Sequence, residues 1–195
     1  MPAAVLPLTY RHRVAVNIAA KLMREGAVIA YPTEAVWGLG CDPHNRTAIA
    51  RLLQIKGRSA DKGLIQVAAS IEQFQPALNG LDEHLLARLD NSWPGPVTWL
   101  VPDNGSAEQL VRGHFSAVAL RVSAHPLVAA LCDAFGGPIV STSANFSGDQ
   151  APRWPWQVRR QLGPQLDFLV GGSVGASRKP SQIRDLISGA IIRAS

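Results

Sequence analysis

Cysteine is almost absent from this 195-residue chain. Cys41 and Cys132 are too few and too far apart for a disulfide framework or a thiolate metal site. No apolar run reaches the roughly 18–20 residues that a membrane-spanning helix needs. The segment Met1–Leu6 has no basic stretch ahead of its short apolar one, so no secretory leader is expected. The five histidines, at positions 12, 44, 84, 114 and 125, show no metal-ligand spacing. No serine sits in a nucleophile elbow. Gly38-Leu39-Gly40-Cys41-Asp42-Pro43 begins like a dinucleotide fingerprint, but it lacks the third glycine and meets a proline where a helix should open. Gly171 to Lys179 has the glycines of a phosphate loop without its Gly-Lys-Ser/Thr ending, and reads as a flexible connection. Repeats, long linkers and low-complexity blocks are also missing. The expectation that remains is a soluble, cytoplasmic chain of one domain, residues 1–195; its 47% hydrophobic residues supply material for a substantial core.

The charge that is present is basic and rich in arginine: 15 Arg and 4 Lys against 14 acidic residues, a net +5. Planar guanidinium groups suit phosphate or carboxylate, so an anionic partner is expected, whether ATP or RNA. Apolar periodicity predicts a helix over Val14–Arg24 with Val14, Ile18 and Leu22 on one face, and a strand over Ala27–Tyr31. A glycine-rich loop is expected over Thr33–Pro43. Asn45 caps a second helix, buried through Ala48, Ile49, Leu52 and Leu53, that delivers Lys56 and Arg58 at its end. Further strands are expected at 64–68, 97–101, 118–122 and 138–140, and near 168, 185–187 and 190–192. Helices are expected at 81–89, 125–135 and 156–162. This interleaving predicts an α/β fold: a single domain with a twisted, mixed β-sheet flanked by helices.

Four segments carry chemistry. Tyr31-Pro32-Thr33-Glu34-Ala35-Val36-Trp37-Gly38-Leu39-Gly40 follows a strand, and is either a wall of a small-ligand pocket or a turn packed by Trp37. Lys56-Gly57-Arg58 places two cations at a helix end. Arg121 interrupts an apolar strand, and so either faces solvent or meets an anion. Ser141-Thr142-Ser143-Ala144-Asn145-Phe146-Ser147-Gly148 packs hydroxyls and an amide after a buried strand. It is a polar turn or, with Lys56 and Arg58, half of a polyanion site.

With Trp93-Pro94-Gly95-Pro96-Val97-Thr98 and Pro180-Ser181-Gln182-Ile183, these motifs occur in the order seen in the YrdC-like family of threonylcarbamoyl-AMP synthases. From about Ala27 to Arg193 the chain resembles the short bacterial form of that family. The resemblance implies a YrdC-like fold with a basic concave surface. It also implies a reaction in which L-threonine, bicarbonate and ATP give L-threonylcarbamoyladenylate and pyrophosphate. Mg²⁺ is expected to arrive with ATP. The product would pass to a transferase complex that modifies tRNA at position 37, and direct tRNA or double-stranded RNA contact is a further expectation. By the resemblance, Lys56, Arg58, Ser143 and Asn145 form a catalytic and ATP-binding tetrad, joined on the ATP side by Lys62 and Arg193. Thr33, Arg121, Ser141 and Ser181 fall near the threonine. Ala35, Trp37, Ser59, Lys62 and Gln182 depart from common family residues. A non-catalytic protein binding double-stranded RNA, or acting in ribosome maturation, is the competing reading. A carbamoyltransferase using carbamoyl phosphate is a third.

Overall fold

The computed structural model describes residues 8–177 and 179–194; the expectations for Met1–Leu6 and for Arg178 fall outside them. Helix α1 spans Tyr10–Arg24 and begins four residues earlier than the apolar periodicity suggests. Its start is set by a reciprocal cap. His12 N donates to Thr9 Oγ1 at 3.3 Å, and Thr9 N donates to His12 Nδ1 at 3.2 Å. This is a capping box with histidine in the place usually held by Glu or Gln. The buried face is Val16, Ala19, Ala20 and Met23, whereas Val14 and Ile18 are exposed. The expected face is therefore the wrong one. α1 packs closely on another helix, and small alanines permit that approach where branched side chains would not.

Strands β1 (Ile29–Pro32) and β2 (Trp37–Gly40) form an antiparallel hairpin, so the expected loop over Thr33–Pro43 contains a strand. Two glycines in Trp37-Gly38-Leu39-Gly40 hid it, although Gly40 lies where a Cβ would fall 2.6 Å from Val140 O. Helix α2 (Arg46–Lys56) follows, capped by Asn45 Oδ1, which accepts from Ala48 N at 3.0 Å. It ends at Gly57, which adopts φ 57°, a left-handed conformation that favours glycine. Then come β3 (Ile65–Ala68), one-turn α3 (Gln75–Leu78), α4 (Glu83–Asp90), β4 (Val97–Pro102), one-turn α5 (Gln109–Arg112), β5 (Ala117–Val122), α6 (Pro126–Phe135) and β6 (Ile139–Ser143). α7 (Pro155–Leu162), β7 (Phe168–Leu169), β8 (Gln182–Asp185) and β9 (Ile191–Arg193) complete the described elements.

Nine strands among the described residues form one sheet in the order β7-β1-β2-β6-β3-β5-β4-β8-β9. The pairs β1–β7, β3–β5 and β4–β8 are parallel and the rest antiparallel, so the sheet is mixed as expected. Each face is covered. α1 and α6 bury Met23, Leu127, Val128 and Leu131 against Ile29, Tyr31 and Val67 on one side. On the other, α2, α4 and α7 bury Ile49, Leu52, Leu89, Val158 and Leu162 against Val28, Ala30 and Leu39. Strand alternation does this directly, since Val28 and Ala30 point one way and Ile29 and Tyr31 the other.

Strand β6 positions the site. Ile139, Val140 and Ser141 pair with β3, whereas Thr142 and Ser143 pair with β2. The first three hydroxyls of the Ser141–Gly148 segment therefore belong to a strand and not to a turn. They lie where the chain passes from one half of the sheet to the other.

Candidate active site

A cavity of about 580 Å³ opens at this junction, within the usual range for a small-molecule site. Thr33, Arg58, Lys62, Arg121, Ser141, Ser143, Ser181 and Arg193 all line it. Lys56 and Asn145 do not; they are buried behind it. Among the described residues, six cations line the cavity (Arg58, Lys62, Arg112, Arg121, Lys179 and Arg193) against two carboxylates, Glu34 and Asp185. One wall is apolar, with Leu100, Phe115, Ala117, Ile183 and Ile192.

The helix tip and the hydroxyl-rich segment do meet. Lys56 Nζ donates to the carbonyl of Ser143, and to that of Asn145 at 2.8 Å. Ser147 N donates back to Lys56 O at 2.9 Å. Asn145 closes the same turn through Nδ2, which donates to Phe146 O at 2.7 Å and Asp149 O at 2.8 Å. The Lys56 ammonium thus holds backbone, not open space, which differs from its expected role as a charge facing the ligand. Burial, and then the nearby Arg58 charge, push it down to about 8. Arg58, one residue past the left-handed Gly57, does reach the cavity. Its Nη2 donates to Lys62 O at 3.1 Å and Gly63 O at 2.9 Å, and its buried Nε has no partner among the described residues.

On the opposite side, Arg193 Nη2 donates to Ser181 O at 2.7 Å, and the Ser181 and Thr98 hydroxyls are 2.9 Å apart. Strands β4, β8 and β9 therefore bring these groups together from distant parts of the chain. Thr33 donates through both N and Oγ1 to Val36 O, which tightens the β1–β2 turn. Arg121 is only 8% exposed and pairs with Glu34, Nη1 to Oε2, at 3.1 Å. The charge in an apolar strand is answered inside the protein, by a carboxylate that sequence reasoning left in the loop wall. Burial works to raise the Glu34 pKa, but Arg121 and then a hydrogen bond from Ser123 outweigh it and hold the carboxyl below its ordinary value. Arg193 is pushed down by burial and then by the charges of Arg121 and Arg58. Three guanidinium groups thus crowd one cavity. Arg112 and Lys179 also line the cavity but were not expected there: Arg112 stands in no distinctive local motif, and Lys179 ends the Gly171–Lys179 stretch that was expected to be a flexible connection.

Among the described residues, no group of three His, Cys, Asp or Glu is placed to hold a metal ion. No described helix is long and apolar enough to cross a membrane. An arginine-rich cavity with hydroxyls along one edge, set at a switch between sheet halves, defines an α/β protein suited to a small, highly anionic ligand.

Comparison with known proteins narrows the class. Residues 21–195 match the Sua5_yciO_yrdC family, described as Telomere recombination. Threonylcarbamoyl-AMP synthase of Cellvibrio japonicus is 53% identical over 180 residues, 92% of this chain and 95% of that protein. The protein of the same name from Chromohalobacter salexigens is 52% identical over 181 residues, 93% of this chain and 96% of that one. Among solved structures, P. abyssi Sua5 complexed with L-threonine superposes with a TM-score of 0.83 at 31% identity, covering 89% of this chain and 51% of that one. This chain belongs to the Sua5/YciO/YrdC family.

Proposed function

We propose that this protein is an L-threonylcarbamoyladenylate synthase. Its substrates are L-threonine, bicarbonate and ATP, and its products the adenylate and pyrophosphate. The observation that carries this reading is the convergence of Arg58, Arg121 and Arg193 with the hydroxyls of Ser141, Ser143 and Ser181 on one cavity, an arrangement suited to a triphosphate and a carboxylate together. Relatives at about half identity over nearly their whole length bear the synthase name, and P. abyssi Sua5 has been crystallised with L-threonine.

The chemistry asks little of a general base. Threonine amine and bicarbonate condense to a carbamate with loss of water. A carbamate oxygen then forms a bond to the α-phosphorus as the bond to the β,γ-pyrophosphate breaks. The carbamate is already anionic, so the protein's work is positioning, charge stabilisation and exclusion of water. In this reading Arg58, Lys62 and Arg193 take the triphosphate, with Ser143 offering its hydroxyl. Lys56 and Asn145 serve by fixing the segment that carries Ser143. Arg121 receives the threonine carboxylate, and Thr33, Ser141 and Ser181 border the amino acid. The apolar wall around Phe115 and Ile183 offers a dry face to the adenine ring. Mg²⁺ would enter as part of the nucleotide substrate.

The product, a reactive mixed anhydride, suits transfer to tRNA by a separate transferase. A purely RNA-binding role is the weaker reading, since relatives of this length and identity are named as synthases. The test is pyrophosphate release with ATP, bicarbonate and threonine each omitted in turn. Release should require all three; release without threonine would overturn the reading.

A further inference from the structure

The Glu34–Arg121 pair lies in a cavity otherwise rich in cations, and triphosphate binding gives it no role. Glu34 is held on every side. Oε2 takes Arg121 Nη1 at 3.1 Å, while Oε1 accepts from Ser123 Oγ at 2.7 Å and from Ala124 N at 3.1 Å. Its own carbonyl accepts from Ser177 N at 3.1 Å, and Thr33 O accepts from Gly175 N at 2.9 Å. Residues 175–177 therefore strap the Thr33–Glu34 turn in place. Gly175 runs so close that a Cβ there would fall 2.9 Å from Glu34 O.

Arg121, by contrast, is incompletely used. Its Nε is buried and has no hydrogen-bond partner among the described residues. Burial closes Nε to the cavity that Arg121 lines, so the terminal nitrogens are the donors that can meet a ligand there. A guanidinium also presents its donors as a rigid planar fork, so fixing one nitrogen fixes the direction of the rest.

We infer that Glu34 is a positioning residue for the amino-acid substrate: by holding Nη1, it orients the remaining terminal donors of Arg121, which lines the cavity, to receive the substrate's α-carboxylate. The same carboxylate offsets the repulsion that Arg121 would otherwise meet from Arg58 and Arg193. Without Glu34 the guanidinium would be free to turn toward the triphosphate side, and the amino acid would lose its receptor while ATP kept its own. The inference rests on the threonine-dependent reading above, and goes beyond it by naming what aims the arginine.

The test compares wild type with Glu34→Gln, which keeps the size and the acceptor for Ser123. Steady-state pyrophosphate release should show the threonine KM raised by about ten- to a hundredfold, the loss of a charge-assisted hydrogen bond, with the ATP KM within about twofold. In an Arg121→Ala background, Glu34→Gln should add nothing further, because its effect runs through Arg121. A general structural weakening would instead raise both KM values and act in both backgrounds. A second readout needs no turnover: the ¹⁵N–¹H resonance of Arg121 Nε should shift on adding L-threonine to wild type and not to Glu34→Gln. Should Glu34→Gln fail to fold, Glu34→Asp takes its place, with the same expectation of a selective threonine defect. Unchanged threonine KM in the variant, or no threonine-induced Nε shift in wild type, overturns the inference. If wild type releases no threonine-dependent pyrophosphate, the synthase reading fails, and the Nε titration alone decides the role of Glu34.

Discussion

Lys56 Nζ donates to the main-chain oxygen of Asn145 at 2.8 Å, across 89 residues of sequence, and to that of Ser143 as well. One ammonium thus closes a buried turn: without it the Asn145 carbonyl would lack a donor among the described residues, while Ser143 O would still accept from Asn145 N at 3.0 Å. Ser143, which lines the cavity, is held by a residue that does not.

Lys56→Met should therefore act through the turn. Leaving the buried Asn145 carbonyl without a donor costs about 1–3 kcal/mol, so urea unfolding should show a loss of that order. Pyrophosphate release should fall with it. The folded pKa of about 8 lies below the ordinary lysine value of 10.5. Between those values the unfolded chain holds a proton that the folded chain has lost, so this group makes stability rise with pH across the window. Below about pH 8 both states are protonated and the contribution is flat. The wild-type profile should rise relative to Lys56→Met from pH 8 to 10.5, as checked by unfolding at each pH.

Arg58→Ala should separate activity from stability. Loss of one donor aimed at developing charge lowers turnover by roughly 10²–10³-fold. The two carbonyl contacts of Arg58 are replaceable by water at the cavity mouth, so unfolding free energy should change by about 1 kcal/mol or less. A wild-type rate of pyrophosphate release would refute the phosphate role.

The Arg51–Asp167 pair joins α2 to the strand beside β1. Arg51 Nη2 lies 3.1 Å from Asp167 Oδ1 and donates to Gln165 O at 2.8 Å, while Asp167 Oδ2 also accepts from Val28 N at 2.8 Å. Burial would raise the Asp167 pKa, but Arg51 and Val28 outweigh it and lower the carboxyl below 3.8. Its stabilisation is therefore present above that value and lost as pH falls through the folded pKa. The pair is about a third exposed, so Asp167→Asn should cost only about 0.5–1 kcal/mol at neutral pH. That difference should shrink as pH falls below 3.8 in acid-unfolding curves.

Gly175→Val should unfasten the strap over Glu34. The added side chain meets Glu34 backbone at 2.9 Å from O and 3.1 Å from Cα, and backbone cannot swing aside as a flexible side chain would. Overpacking of this kind costs about 1–3 kcal/mol. The threonine KM should rise with the loss of stability, measured by thermal melting beside steady-state kinetics.

The face of α1 gives a structural test. Ile18→Lys changes an exposed position and should alter unfolding free energy by no more than about 0.5 kcal/mol. Ala20→Leu forces volume between α1 and α6 and should cost about 1–3 kcal/mol. The reverse ranking would restore the face that periodicity alone suggests.

Much of the fold was legible in order along the chain. Asn45 as a cap and the stripe Ala48, Ile49, Leu52, Leu53 identified α2 correctly, because both signals lie within three turns of one helix. The α1 face was misread because large apolar residues outweigh alanine in a periodicity argument, while close helix packing selects alanine. β2 was hidden because two glycines look like a loop, and only the approach of Val140 O and the Tyr31 ring to Gly40, and of Thr33 Cγ2 to Gly38, explains them. At the site, the sequence marked the cations, the hydroxyl run and Arg121 as chemically unusual. It did not mark Glu34 as the partner of Arg121, which lies 87 residues away.

Local order and the supply of functional groups came from the sequence by itself: caps, amphipathic stripes and a run of hydroxyls act over a few residues, and their energies are set by neighbours in the chain. Which atoms face the cavity was decided only by the tertiary structure. Strand β6 changes partner between Ser141 and Thr142, and that choice turns Arg58 and Arg121 toward one space while drawing the Lys56 ammonium onto backbone. Such outcomes depend on burial, where each polar group must find a partner from whatever the folded sheet brings near, and no local pattern encodes that meeting.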